Sequence, residues 1–157
     1  MHSQRRAFYR RTAHNTRMNT LSLELIKHYT DADYLLELDS RRYVLKIGER
    51  PAAEFEDFLQ STAANCWAVI TAWNPCSRVL SAHQNQQKQA QLEDTLHARG
   101  QLFYPAVGQS ADGQWQETSV WVPGLSRQQA KELGQLYQQN AVVYGKSGRA
   151  AELLIPG

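Results

Sequence analysis

The chain has 157 residues, 42% hydrophobic and 20% charged, with a net charge of +2. That is the size and composition of one globular domain able to bury roughly two thirds of its unfolded surface, which excludes a disordered chain. No run approaches the roughly 18 apolar residues of a spanning helix, and the Arg-rich start lacks the apolar stretch of a secretory signal, so a cytoplasmic protein without a membrane partner is expected.

The charge is uneven. Arg5, Arg6, Arg10, Arg11 and Arg17 precede the first acidic residue, Glu24, and leave 12 of the 17 basic residues against 15 acidic ones in the rest of the chain. Residues 1–18 read as a disordered basic arm, or as one that touches nucleic acid through phosphate contacts. The domain proper is expected over 19–157. Leu21, Leu25 and Tyr29 recur at helical spacing behind the N-cap candidates Asn19 and Thr20. Tyr34 to Leu38 and Tyr43 to Ile47 read as two strands of a hairpin turning at Asp39, Ser40, Arg41 and Arg42. Pro51 opens a helix with the apolar stripe Phe55, Phe58, Leu59 and Thr62.

CWAVITAW, from Cys66 to Trp73, is an unbroken apolar run of strand length, so it predicts a central strand buried on both faces. Ser81 and Gln84 form a capping box for a helix that Gly100 stops near Arg99. The next strand, Gln101 to Val107, completes a β-loop-helix-β unit, most simply a parallel pair with a right-handed crossover. Asp112 and Gly113 turn a second hairpin into the strand Trp115 to Val122. A second capping box, Ser126 with Gln129, starts a helix striped with Ala130, Leu133 and Tyr137. Asn140 most simply takes the left-handed position that ends it, and Ala141 to Tyr144 and Leu153 to Ile155 are the last strand candidates. The fold class is therefore mixed α/β: one domain, a mixed sheet with a central βαβ unit and two hairpins, and helices packed on it.

Ligands of such sheets collect beyond the carboxyl ends of strands, which here means Trp73, Asn74, Pro75, Cys76, Ser77 and Arg78. Arg78 beside the helix start at Ser81 suits an anion, but no glycine-rich phosphate cradle accompanies it, which favours a capped helix with a surface arginine. Asn85 shares the inward stripe of Gln89, Leu92 and Leu96, where it either clasps the loop backbone or reads a ligand. In the strand 115–122, Trp115, Glu117, Ser119 and Trp121 share one face. This is either a pocket wall with Glu117 as acid or base, or an amphipathic edge. Cys76 and His83 lack an orienting acid for thiol catalysis. His28 and His97 show no metal spacing, so neither a metal nor a cofactor is implied.

The run VITAWNPCS, followed by LSAHQNQQ, LFYPAVG, DGQWQETSVWV and QNAVVYG, resembles the bacterial family known as domain of unknown function 3293, over about Asn19 to Gly145. The resemblance implies a small stand-alone bacterial cytoplasmic protein. Its polar motif residues fall here on Trp73, Asn74, Pro75, Asn85, Trp115, Glu117, Ser119, Gln139 and Asn140. Cys76 departs from the pattern, where a small residue such as Gly is expected. Two functions stay open. One is a site for a small polar or nucleotide-like ligand formed by Trp73, Asn74, Arg78, Asn85, Glu117 and Ser119. The other is a noncatalytic module that holds protein or nucleic acid through Trp115, Trp121 and the Arg arm.

Overall fold

The computed structural model describes residues 21–38 and 40–157; the basic arm, Asn19 and Thr20 lie outside the described residues. Helix α1 (Leu23–Asp31) is capped by Ser22, whose hydroxyl accepts from Leu25 N at 3.1 Å. It is followed by β1 (Asp33–Leu38), β2 (Arg41–Leu45), α2 (Ala53–Ser61) and β3 (Cys66–Ile70). After a tight turn at Pro75–Ser77 come α3 (Ala82–Ala98), β4 (Tyr104–Gln109), β5 (Gln116–Pro123), α4 (Arg127–Leu136), β6 (Val142–Lys146) and β7 (Glu152–Leu154). Arg41 and Arg42 belong to β2 and pair with Leu38 and Glu37, so the first turn is shorter than its polar residues suggest.

The seven strands form one sheet in the order β2-β1-β4-β5-β3-β6-β7, with every ladder antiparallel. This corrects the expected parallel pair. The crossover from β3 through α3 to β4 exists and the two strands run in the same direction, but β5 lies between them and pairs antiparallel with both. The hairpin residues Asp112 and Gly113 bring β5 back beside β4, and a local hairpin closes a shorter loop than a crossover does. The sheet curls until its edges approach. Ile47, past β2, forms an isolated parallel bridge with Ala151, ahead of β7, and Gly48 N donates to Ala151 O at 2.8 Å.

The curl gives two cores, one on each face. On the concave face α2 inserts Phe55 and Leu59 among Trp67, Val69, Trp121, Tyr43 and Leu36. Phe55 meets both indoles edge-on, with ring centroids 5.4 Å from Trp67 and 5.6 Å from Trp121. Each such buried ring contributes roughly 1.5–3 kcal/mol from burial alone. The convex face packs Ala68, Ile70, Val120 and Val122 under Leu92 and Leu96 of α3 and Ala130 and Leu133 of α4. Strand β3 thus supplies Trp67 and Val69 to one core and Ala68 and Ile70 to the other, which is why its sequence is apolar without alternation. Both helices begin with the expected capping boxes, Ser81 with Gln84 and Ser126 with Gln129. No helix among the described residues is long and apolar enough to cross a membrane.

Candidate functional site

Past Ile70 the β3 ladder ends, and two carboxamides of α3 take over its hydrogen bonding. Ala72 N donates to Gln89 Oε1 at 2.9 Å, and Asn74 N donates to Asn85 Oδ1 at 2.8 Å. Two residues of extended chain span about 6.6 Å and four residues of helix rise about 6 Å. The i,i+4 amides therefore match the i,i+2 N–H groups of the strand exit. Asn85 and Gln89 share the buried stripe of α3 with Leu92 and Leu96, so a polar pair on an apolar face is what the spacing had shown.

Asn74 turns this backbone clasp into a network. Its Oδ1 accepts from Asn85 Nδ2 at 2.9 Å and from Leu80 N at 3.0 Å, while its Nδ2 donates to Glu117 Oε1 at 3.0 Å. Asn85, Glu117 and Asn74 are 2%, 7% and 9% exposed. Glu117 reaches this end from β5, where the register places it opposite Gly108 and Ser119 opposite Ala106. The Ser119 hydroxyl, itself buried, donates to Glu117 O at 3.2 Å.

The loop holds Asn74 in place through strained backbone. Asn74, Cys76 and Ser77 have φ of 48°, 54° and 58°. For residues with a Cβ the left-handed region costs roughly 1 kcal/mol or more, with Asn the best tolerated. The 136–142 segment braces the loop. Cys76 N donates to Gln138 O at 2.7 Å, Gln139 Nε2 donates to Trp73 O at 3.1 Å, and Asn140 Nδ2 donates to Ser77 Oγ. The left-handed residue after α4 is Gln138, with φ of 55°, and not Asn140 as expected. The helix ends two residues earlier than that assignment requires, which frees the Asn140 amide to reach the loop.

Tyr29, from the last turn of α1, enters the same end, and its hydroxyl contacts Ser77 and Asn140. Burial, with the Glu117 charge adding to it, pushes this phenol well above the usual tyrosine range, so it stays protonated. Tyr34 OH donates to Tyr29 O at 2.9 Å and fixes the turn that carries it. His28, beside Tyr29, lies edge-on to Trp115 with centroids 4.4 Å apart.

Of the residues expected at the site, Asn74, Asn85 and Glu117 are linked directly and Ser119 sits beside Glu117. Trp73 is half-buried and its carbonyl is held by Gln139. Arg78 is exposed, and the neighbouring helix start already spends the Ser81 hydroxyl on Gln84 N. The proposed Trp115 and Trp121 binding face is not present: Trp121 is fully buried against Phe55 and Phe58. The curl of the sheet encloses the inner half of β5, so period two places Trp121 correctly on the face of Glu117, but that face is interior.

Tyr29 and Gln89 were not singled out as site residues, whereas Ser77 was named only as part of the strand-end loop and Asn140 only as a helix end and a motif residue. Gln89 could have been found, because it is polar in the same buried stripe as Asn85. Tyr29 could not, since its helix spacing reads as core. Among the described residues no three His, Cys, Asp or Glu side chains are grouped to hold a metal ion.

Residues 70–142 match the family described as "Protein of unknown function (DUF3293)". The matched stretch contains the β3 exit, Asn74, Asn85, Glu117 and Asn140, and leaves Tyr29 outside. No curated protein and no solved structure matches the chain.

Proposed function

We propose that the end of the curled sheet framed by Asn74, Asn85 and Glu117 binds a small polar ligand. The observation that carries the reading is the use of Asn74: on a strained backbone its Oδ1 is held by Asn85 Nδ2 and Leu80 N, which aims its Nδ2 at one buried carboxylate. Polar groups from α1, the 74–77 loop, α3, β5 and the 138–140 segment converge there, while the neighbouring positions of β3 and β5 are ordinary core. A purely structural clasp needs only Asn85 and the loop N–H. Carboxylates and carboxamides held rigidly at the end of a sheet are the few oriented polar groups that small-molecule sites use.

The test is a thermal-shift screen with nucleosides, amino acids, simple amides and sugars, followed by amide NMR of the Asn74 and Asn85 side chains. A ligand of this site raises the melting temperature and moves both side-chain resonances, and Glu117→Gln weakens it. If no compound moves those resonances, the reading fails.

A further inference from the structure

The helices are not held alike. Helix α1 fully buries one side chain, Leu25, whereas α2 buries Phe55 and Leu59 and α3 buries Leu92 and Leu96 beside its two amides. Leu25 belongs to neither of the two cores, and Leu23, Glu24, Ile26, Lys27, Thr30 and Asp31 are exposed. The other two residues of α1, His28 and Tyr29, are half-buried in its last turn, one against Trp115 and the other against Ser77 and Asn140. Within a native protein, elements that bury little apolar surface open at lower free energy than the core does.

Helix α1 has 9 residues. A helix shorter than about 12 residues is marginal in water on its own, so α1 is helical because it is docked. Its last residue leads into a fixed point. Ala32 is 1% exposed and extended, with φ of −71° and ψ of 154°, and the carboxylate of Asp33, which opens β1, is paired with Lys46. Release of α1 therefore stops at Ala32. It costs the bond from Tyr34 OH to Tyr29 O, while the ladders of β1 with β2 and β4 need no change.

We propose that α1 is a lid on the polar end of the sheet: it undocks and unwinds as one unit up to Ala32 and withdraws Tyr29 from Ser77 and Asn140 while the sheet stays folded. Opening frees the Ser77 hydroxyl, 3% exposed with Tyr29 in place, and the Asn140 amide for another partner. The lid goes beyond the ligand-site reading and its test needs no ligand, so either can fail without the other.

Hydrogen exchange of the full chain, read by NMR at low urea concentrations, tests it. The α1 amides from Ile26 to Asp31 are expected to exchange at least about tenfold faster than the slowest amides of β3 and α3, and with a smaller urea dependence, because the opening exposes one small element. Leu96→Ala, a change in the convex core, should speed the β3 and α3 amides about thirtyfold or more and leave those of α1 unchanged. Leu25→Ala should speed the α1 amides by a similar factor and move the Ser77 and Asn140 resonances, with the sheet still folded. If α1 exchanges with the urea dependence of β3, or if Leu96→Ala speeds α1 and β3 alike, α1 opens only with the whole domain and the proposal falls. The urea dependence is measured on the unaltered chain, so that outcome is reached even if a variant does not fold. Ser77 and Asn140 resonances that stay in place in Leu25→Ala would overturn α1 as the cover of that end.

Discussion

Asn74 and Glu117 are 43 residues apart in sequence and are joined by one buried hydrogen bond, Asn74 Nδ2 donating to Glu117 Oε1 at 3.0 Å. The bond has a direction that chemistry can reverse. Asn74→Asp keeps the shape and the left-handed backbone but turns the donor into a carboxylate oxygen facing another. The variant is expected to lose about 3 kcal/mol at pH 7, since the Asn74–Glu117 bond is lost and a second buried carboxylate is set against the first. At this chain length that is roughly 6–12 °C in melting temperature. The loss should shrink on acidification, as one of the two carboxyls takes a proton. A variant as stable as the parent at pH 7 would mean that the bond carries nothing.

Most of this end was legible in the sequence, because it depends on local periods. Helix spacing alone turns Asn85 inward, strand alternation alone puts Glu117 and Ser119 on one face, and the apolar run leads to Trp73 and Asn74, although the paired strand itself stops at Ile70 and the last residues of the run form its exit. What was not legible is long-range. The insertion of β5 between β3 and β4 depends on which of two topologies closes better, and both satisfy the same hydrophobic pattern. The curl that buries Trp121 is likewise a property of the whole sheet. Tyr29 joins the site only because Tyr34 and Trp115 hold the end of α1 against the second hairpin, and no spacing within α1 records that.

Gly145 lies against the Trp67 ring. A Cβ built on it would stand 2.2 Å from Cε2, 2.3 Å from Cζ2 and 2.5 Å from Nε1 of the indole, and the ring is fully buried under Phe55. Gly145→Ala is therefore expected to cost about 3 kcal/mol, the upper end for overpacking in a closed core. Shrinking the neighbour should relieve it. Adding Trp67→Leu to Gly145→Ala should cost less than the two changes summed, measured by urea unfolding in a double-mutant cycle. Strict additivity would show that the strand shifts instead of clashing.

Cys76 has φ of 54° in the loop that presents Asn74. This is the conformation that favours glycine, which accounts for the small residue expected there from the family pattern. Cys76→Gly removes strain of about 1 kcal/mol and returns part of it as unfolded-chain entropy. The expected result is a midpoint in urea unchanged or higher by up to about 1 kcal/mol. A clear loss of stability would show that the half-buried thiol packs usefully.

His28 supplies a pH dependence with a defined sign. Burial against Trp115 holds its pKa below the usual 6.5, while Asp112 and Asp31 act in the opposite direction without overcoming it. A base whose folded pKa is depressed binds fewer protons folded than unfolded. Stability is then complete above the unfolded value and falls as pH drops from about 6.5 toward the folded pKa. His28→Phe keeps a ring against Trp115 and has no proton to bind. The difference in stability between parent and variant should change across that window and level off above it, as followed by thermal melts from pH 7.5 to 5. A constant difference would mean that His28 does not titrate against folding.

Glu117→Gln separates a residue held for a ligand from one held for the fold. The substitution changes almost no volume, and glutamine Oε1 can still accept from Asn74 Nδ2, so the loop keeps its tether. What is lost is the negative charge, which costs desolvation in a position only 7% exposed. If Glu117 served only to brace the loop, losing the charge-assisted character of the bond would lower stability by about 1.5–3 kcal/mol. If it is kept for binding, the fold bears the cost of the charge, and removing it leaves the melting temperature unchanged or raised, with binding lost. We expect the second outcome. A fall of several degrees with any ligand affinity intact would assign Glu117 to the scaffold and move the site elsewhere.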